Sequence, residues 1–320
     1  KTSENTLDIM GKNGSEYVNK HNRLFLDAIH TIFKDIFSKT KTIKFDRSII
    51  NDDELPQLSI ITPVRGFKHI FRVSILNYRS TSYPKDKLEW IIVDDSPEGE
   101  DVEDLLPSKE NRDTFNIKYI KLEDTHTEGN KLNIGINKSK GDVVLIMNQH
   151  DFFYEKGMTT LVKSLLKYKR ECVGMTMLGC FDINRYISII SLEPIVKEYH
   201  NRIYTGSLCF RKDKWNNNPF SDTDAPLELF LSGDWNQFKE IYWENILVGL
   251  IHKGNNDVRV VDERHEANGN HFKFSKKVFE YLCGLDKDKD KDKENTSKQT
   301  VESSVKDDSV SNNKPNIKEI

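Results

Sequence analysis

Residues 89–96, Glu-Trp-Ile-Ile-Val-Asp-Asp-Ser, decide the fold of this chain, because an apolar run ends there in two aspartates. Similar apolar runs lie on either side of it, Leu-Ser-Ile-Ile-Thr at 58–62 and Val-Val-Leu-Ile-Met at 143–147. Between the run at 58–62 and the run at 89–96 lie residues 68–79, in which apolar side chains recur at helical spacing. Continuous apolar strands that alternate with helices indicate a parallel sheet covered on both faces. The predicted fold class is therefore α/β, with a mostly parallel sheet flanked by helices.

The alternation continues toward the C-terminus. A strand is predicted at 117–122 and helices at 132–138 and 158–169. Gly141 lies at the turn that leads into the strand at 143–147.

The composition is that of a soluble globular protein. Of 320 residues, 36% are hydrophobic and 31% are charged, and the formal net charge is -3. This balance argues against general nucleic-acid binding, which needs an excess of positive charge. No apolar run approaches the roughly 20 residues of a membrane span. The chain opens Lys-Thr-Ser, with neither a signal peptide nor an initiator Met, so a fragment or a processed start is expected.

Cysteine usage favours an intracellular protein. The four cysteines lie far apart in apolar contexts, at Cys172, Cys180, Cys209 and Cys283. This pattern predicts buried free thiols rather than a disulfide framework or a zinc site. A reducing, cytoplasmic location is therefore expected.

Composition divides the chain into three zones. Residues 1–54 are predicted to form a helical extension, because apolar side chains repeat every three to four residues over 24–37. This stripe either packs on the main domain or mediates self-association or contact with a partner helix. Residues 55–284 form the predicted α/β domain. Residues 285–320, which open with Asp-Lys repeats, are predicted to be a disordered charged tail.

Polar residues follow three of the predicted strands. They occupy positions 62–65, 94–96 and 148–151. Ligands of open parallel sheets bind outside the carboxyl ends of the strands, so these clusters predict a ligand site. The last cluster, Asn-Gln-His-Asp, has donors suited to a divalent cation or a polar ligand. Each cluster taken alone is also compatible with an ordinary turn.

The same segments resemble a known family. Ser59-Ile-Ile-Thr-Pro, Tyr83-Pro and residues 89–96 resemble the opening of family 2 glycosyltransferases with the GT-A fold. Residues 133–142, a strand and Asn148-Gln-His-Asp-Phe-Phe resemble that family's helix, strand and metal motif. Five later segments are similar to glycosyltransferase-like proteins of large DNA viruses: 206–215, 220–223, 230–231, 243–253 and 268–275.

The resemblance implies a nucleotide-sugar donor, such as a UDP-sugar, bound at the strand ends. Thr62 and Pro63 would line the base and ribose, and Asp95 would hydrogen-bond the base. The implied donor-binding residues are Thr62, Pro63, Asp95, Lys131, Asn133 and Gln149.

The resemblance also implies a site for Mn²⁺ or Mg²⁺. The family's metal motif ends in a carboxylate that binds the ion and stabilises the departing nucleoside diphosphate. Here that position falls on His150, and Asp151 retains a carboxylate beside it. His252 matches a histidine that completes the metal sphere, with His271 as a second candidate.

The catalytic base departs from the family pattern. Inverting transfer needs a carboxylate to take the proton of the acceptor hydroxyl. The family places it before a Phe-Leu pair, where this chain has Pro226 and Leu227. Proline cannot accept a proton, so the candidate bases are Glu228, Asp222 and Asp224.

Three functions follow from these observations. The first is an inverting glycosyltransferase that acts on a glycan or protein acceptor. The second is a degenerate module that binds a nucleotide sugar, glycan or protein without turnover. The third is an unrelated α/β nucleotide-binding protein.

Overall fold

The computed structural model of the protein describes residues 50–192, 203–230, 238–253 and 269–285. At positions 191, 192, 228 and 229 it describes the backbone alone. The predicted N-terminal helix, the self-association assigned to it and the charged tail from residue 286 onward lie outside the described residues. No helix among the described residues is long and apolar enough to cross a membrane.

The described strands and helices alternate along much of the chain. The strands are β1 (Leu58–Val64), β2 (Leu88–Asp94), β3 (Ile117–Lys121), β4 (Val143–Ile146), β5 (Asp151–Phe153), β6 (Cys172–Gly174), β7 (Met177–Asp182), β8 (Ile187–Leu192), β9 (Cys209–Arg211), β10 (Phe238–Glu240) and β11 (Leu247–Ile251). The helices are α1 (Lys68–Ser80), α2 (Lys109–Arg112), α3 (Glu128–Asn137), α4 (Gly157–Tyr168), α5 (Lys212–Asn217), α6 (Leu227–Phe230) and α7 at 276–285.

Seven strands form the main sheet, in the order β10-β6-β9-β4-β1-β2-β3. Strands β3, β2, β1 and β4 are parallel, and β9 runs antiparallel between β4 and β6. In this register Asp94 pairs with Val64 on one side and Lys121 on the other, so three strands end at one edge. The predicted α/β class with a mostly parallel sheet is confirmed.

A second sheet of four strands, in the order β5-β11-β7-β8, brings a distant segment to the same edge. Strand β5 pairs antiparallel with β11, and the amide of Leu250 donates to the carbonyl of His150 at 2.8 Å. His252 follows the end of β11 and therefore emerges beside His150. The sequence analysis did not predict this sheet.

Aromatic and aliphatic packing holds the helices to the main sheet. The indole of Trp90 on β2 stacks on two rings of α1, Phe71 at 5.7 Å and Tyr78 at 5.0 Å. On helix α3, Leu132 and Ile136 are fully buried. A fully buried branched or aromatic side chain contributes about 1.5–3 kcal/mol. These contacts fix α1 and α3 next to the strands whose ends carry the polar clusters.

The predicted helices and thiols agree with the structure. Helix α3 begins at Glu128 rather than 132, because the Thr127 hydroxyl caps it by accepting from the amide of Asn130 at 3.1 Å. None of the four cysteines forms a disulfide; three of them are buried, and Cys283 is partly exposed. Burial raises the pKa of the Cys172 thiol to about 12, as expected for an inert core thiol.

Candidate functional site

A cleft of about 420 Å³ opens at the carboxyl edge of the main sheet. Residues that end or follow β1 and β4 line it, together with the segment that leads into α3. The lining residues are Pro63, Arg65, Thr125, His126, Thr127, Glu128, Lys131, Asn148, Gln149, His150 and Asp224. Two of the three predicted polar clusters therefore meet in one concave site, at the edge where parallel sheets bind ligands.

Asp95, from the third cluster, lies buried behind the cleft and holds its cations. Its Oδ1 accepts from Lys131 Nζ at 2.7 Å, and Oδ2 accepts from the amide of His126 at 2.9 Å. The guanidinium of Arg65 lies 3.5 Å from Oδ2. Because the Asp95 side chain is 0% exposed and that of Arg65 is 51% exposed, an incoming ligand meets Arg65 and not the carboxylate. Two cations beside one carboxylate give this side of the cleft a net positive charge, which favours the binding of an anion.

Asp94, the neighbour of Asp95, has a structural task. Its Oδ1 accepts from the amide of Ser96 at 2.8 Å, and Oδ2 accepts from the amide of Val102 at 3.0 Å. The hydroxyl of Tyr119 also donates to Oδ2, at 2.8 Å. Burial, and then this hydrogen bond, raise the pKa of Tyr119, so the phenol stays protonated. Asp94 thus ties the loop after β2 to β3 and keeps the edge of the sheet in place.

The loop after β1 crosses the cleft in an unusual backbone conformation. Gly66 and Phe67 both have positive φ, at 64° and 53°. The left-handed region costs an aromatic residue of order 1–3 kcal/mol, so surrounding contacts must hold it there. The Gly66 amide donates to Ser96 Oγ at 2.7 Å, and the Phe67 ring lies 5.1 Å from that of His252. This loop places Arg65 in the cleft wall and packs the Phe67 ring against His150 and His252.

His150 and His252, which two separate motifs assign to a metal site, lie side by side. Nδ1 of His150 lies 2.9 Å from Nε2 of His252, and the rings are 4.9 Å apart. Nε2 of His150 lies 3.1 Å from the side-chain nitrogen of Gln149, whose oxygen accepts from the amide of Arg65. Of the pair, His150 lines the cleft and His252 packs behind it.

The described residues do not assemble a complete metal site. Among them, no group of three or more His, Cys, Asp or Glu side chains is placed to hold an ion. Asp151, the predicted third ligand, is fully buried, does not line the cleft, and accepts from the hydroxyl of Tyr204 at 2.6 Å. His271 is exposed and contacts Phe272. Mg²⁺ and Mn²⁺ prefer oxygen ligands, and two imidazoles without a carboxylate do not fit them.

The candidate catalytic aspartates bind the first turn of α3. Oδ1 of Asp222 accepts from the hydroxyl of Thr127, and Oδ1 of Asp224 accepts from the amide of Glu128 at 3.0 Å. The amide of Gly129 donates to the carbonyl of Thr223 at 3.0 Å. These contacts satisfy amides that a helix N-terminus leaves without partners. Of the two aspartates, only Asp224 also lines the cleft.

Close packing of this loop requires a glycine on the helix. A Cβ built on Gly129 would lie 1.8 Å from the carbonyl oxygen of Ser221. Glu228 lies in α6, but its side chain is outside the described residues, so its predicted role stays a prediction.

Two predicted donor-binding residues are placed away from the cleft. Thr62 is fully buried, and its hydroxyl accepts from the indole of Trp90 at 2.9 Å. Asn133 binds the indole of Trp215 at 2.8 Å and the backbone of Phe220, so it fastens α3 to a later segment. Of Thr62, Asp95 and Lys131, which were expected at one donor site, only Lys131 lines the cleft. Two other predicted donor-binding residues, Pro63 at the end of β1 and Gln149 after β4, line the cleft.

The predicted site residues include five of the eleven that line the cleft; those not selected are Arg65, Thr125, His126, Thr127, Glu128 and Asn148. Arg65 lies at the end of the cluster that follows β1, and it was not selected because Thr62 and Pro63 matched the family motif. His126 lies in a loop without a periodic pattern. An available signal was the spacing of Arg65 two residues after Pro63, since alternate residues of a strand point to the same side.

The mostly parallel sheet, its flanking helices and the cleft at the carboxyl edge define a GT-A-type fold. The model of the family described as glycosyl transferase family 2 matches residues 59–227, which is more than half of the chain. The chain therefore belongs to glycosyl transferase family 2. No curated protein sequence matches it.

Solved structures of similar fold include a mannosyltransferase and the protein TarS. The mannosyltransferase PcManGT from Pyrobaculum calidifontis, in complex with GDP-Man and Mn²⁺, is 14% identical, with a TM-score of 0.43. This match covers 62% of the present chain and 57% of that one. TarS 1-349 of S. aureus in complex with UDP-GlcNAc is 14% identical, with a TM-score of 0.47 and coverages of 62% and 60%. The chain thus spans about 60% of the length of these structures.

Proposed function

We propose that the protein is a glycosyltransferase that binds a nucleotide-sugar donor in the cleft and transfers the sugar to a glycan or protein acceptor. The observation that carries the proposal is the cleft itself, where family 2 membership coincides with paired cations at the carboxyl edge of the sheet. Family membership also removes the third hypothesis, an unrelated α/β nucleotide-binding protein.

The diphosphate of the donor is assigned to the cationic side of the cleft. Arg65 offers a half-exposed guanidinium, and Lys131 is held in place by Asp95 at 2.7 Å. A guanidinium binds phosphate oxygens through paired, charge-assisted hydrogen bonds. Because Asp95 is buried, its proposed role is to position Lys131 and Arg65 rather than to contact the base. Pro63 and Gln149 complete the donor-binding surface.

Titration is needed to test whether the predicted Mn²⁺ or Mg²⁺ ion contributes to donor binding. His150 and His252 contribute two nitrogens 2.9 Å apart, and no third His, Cys, Asp or Glu side chain of the described residues joins them to form the carboxylate-containing site that Mn²⁺ prefers. The proposed donor site therefore rests on its cationic side chains. Binding measured with and without Mn²⁺ then tests whether the ion contributes.

Asp224 is the proposed base, because it lines the cleft and Asp222, the other candidate whose side chain is described, does not. In an inverting transfer, the acceptor hydroxyl gives its proton to the carboxylate as its oxygen bonds to the anomeric carbon. The bond from that carbon to the nucleoside diphosphate breaks, and the diphosphate carries away the electron pair. Transfer by this route needs no covalent enzyme intermediate.

A second function, donor binding without turnover, is favoured by a specific observation. Asp224 already accepts a hydrogen bond from the first turn of α3, and an imidazole stands where the family has a metal-binding carboxylate. The two functions predict the same affinity for UDP but different rates of sugar release. Binding and turnover must therefore be measured separately.

Binding is tested by isothermal titration calorimetry with UDP, with and without Mn²⁺, on the wild type and on Arg65→Gln. Loss of a charge-assisted hydrogen bond, worth about 1.5–3 kcal/mol, weakens affinity about tenfold or more. The matched control is Arg211→Gln, because Arg211 is exposed and pairs with Val143 at the opposite end of β4. Equal affinities of Arg65→Gln and wild type, or no UDP binding at all, would contradict the assigned donor site.

Turnover is tested by UDP release from UDP-sugars, with Asp224→Asn against Asp222→Asn. Asparagine keeps an oxygen for the helix amide but cannot serve as a base. If Asp224 is the base, its variant binds UDP normally and releases at least about a hundredfold less UDP, in line with typical general-base contributions. The Asp222 variant retains activity, because Asp222 does not line the cleft. A wild type that binds UDP and releases none supports the binding module instead.

A further inference from the structure

A second pocket, of about 280 Å³, lies at the opposite end of β2 and β3 from the donor cleft. Trp90 and Ile117, which pair near the amino ends of these strands, form part of its wall. Ile75 of α1 and the side chains of Leu105, Leu106 and Phe115 complete its apolar lining. The lining is predominantly apolar, as in sites that take small organic ligands.

Two cations stand among these apolar residues. Arg79 lies in the last turn of α1 and is exposed, and the described residues form no ion pair with it. Lys85 Nζ donates to the carbonyl of Tyr78 at 2.5 Å and lies 5.2 Å from the centre of that ring. Lys85 is an exposed residue, and partial burial of its amine lowers the pKa of that group.

No carboxylate of the described residues lines this pocket to balance the two cations. The nearby acid Glu103 binds Arg112 instead, at 3.0 Å, and Lys109 lies 3.5 Å from the same carboxylate oxygen. The pocket therefore combines an apolar body with a positive rim. This combination is complementary to a ligand with an apolar body and one negative group.

The size of the pocket limits the ligand. A cavity of about 150 Å³ holds one benzene ring, and this pocket has almost twice that volume. Two fused rings, or a branched apolar group of similar size, would fill it. The mouth is lined by Thr114, which is exposed and leaves the anionic group of such a ligand within the reach of solvent and of Arg79.

We propose that this pocket, defined by Ile75, Arg79, Trp90, Leu105 and Phe115, binds a small aromatic or branched apolar carboxylate. The apolar body lies between α1 and the ends of β2 and β3, and the carboxylate pairs with Arg79. The inference goes beyond the proposed donor site and does not depend on it, because the two sites lie at opposite edges of the sheet.

The test uses 2-naphthoate as the probe and its neutral analogue 2-naphthalenemethanol, titrated into the full chain by calorimetry. We expect 2-naphthoate to bind at least tenfold more tightly than the alcohol, and Arg79→Gln to remove that difference. Thr114→Trp fills the mouth and abolishes binding of both probes. The control Arg72→Gln changes an exposed arginine of the same helix and leaves both affinities unchanged.

Several outcomes would overturn the inference. Equal affinities for the acid and the alcohol exclude a role for charge, and unchanged binding in Thr114→Trp places the probe elsewhere. An equal loss in Arg72→Gln and Arg79→Gln indicates nonspecific attraction of an anion. Thr114→Trp must melt within about 2 °C of wild type, and Arg79→Gln provides an independent test if it does not. UDP affinity measured on the same variants separates this site from the donor cleft.

Discussion

The buried pair of Lys131 and Asp95 gives the sharpest prediction for the architecture of the cleft. Replacement of Lys131 by Met keeps the length and apolar stem of the side chain and removes the ammonium group. Asp95 then remains buried, with its side chain 0% exposed, and keeps only the amide of His126 at 2.9 Å and Arg65 at 3.5 Å. Removal of one partner of a buried pair costs about 3–5 kcal/mol. Because two contacts survive, we expect a loss of about 3 kcal/mol, at the lower end of that range.

The loss is measured by urea unfolding and by thermal melting. For a domain of this size, about 3 kcal/mol corresponds to a drop in Tm of roughly 6–12 °C. The matched control is Lys138→Met, since Lys138 is exposed at the end of the same helix, and its stability should stay within about 0.5 kcal/mol of wild type. A double variant with Asp95→Asn should lose less than the sum of the two single changes. If Lys131→Met and Lys138→Met unfold alike, the pair does not support the cleft as argued.

Three further substitutions test other parts of the structure. Gly129→Ala should lower the free energy of unfolding by about 3 kcal/mol or more, the upper end of overpacking costs, because the added Cβ meets a backbone oxygen. Gly284→Ala is the control, since no atom lies within 4 Å of the Cβ at this helix position. It should raise the free energy of unfolding in urea by roughly 0.5–1 kcal/mol. Thr62→Val should leave UDP affinity unchanged and lower the free energy of unfolding by about 1–3 kcal/mol, because the buried indole of Trp90 loses its acceptor. A change in UDP affinity would show that Thr62 belongs to the donor site. With a disulfide reagent at pH 8, the Cys283 thiol should react quickly in the native protein, and Cys283→Ser should remove this fast phase. A fast phase that remains in the variant would show that a buried thiol is accessible to the reagent.

The main sheet could be predicted because its strands carry their own signal. Runs such as 90–93 and 143–147 are apolar on both faces, and only a parallel sheet covered by helices buries such strands. Once the strands were placed, the edge at which polar residues meet followed from the direction of the strands. The second sheet gave a weaker signal, because β5 has three residues and its partner β11 lies almost a hundred positions later.

The orientation of individual polar side chains could not be predicted in the same way. Thr62 and Pro63 are neighbours on β1, and successive strand residues point to opposite sides. The hydrogen-bond partners show which of them reaches the cleft. The indole of Trp90 donates to the hydroxyl of Thr62 in the interior, and Pro63 lines the cleft. Asn133 is likewise committed to Trp215, whose indole needs an acceptor. Such commitments depend on partners tens of positions away, and no local pattern records them.

The loop at 221–225 shows why carboxylates in a motif are weak evidence for catalysis. The first turn of a helix leaves amides that need acceptors, and Asp224 and Thr223 satisfy two of them at the start of α3. The same turn begins three residues before Lys131, so the loop also fixes a cation that lines the cleft. Acidic residues are therefore required here by the helix, whether or not sugar is transferred. Asp224→Asn separates the two requirements, because an amide oxygen still caps the helix and no longer takes a proton from an acceptor.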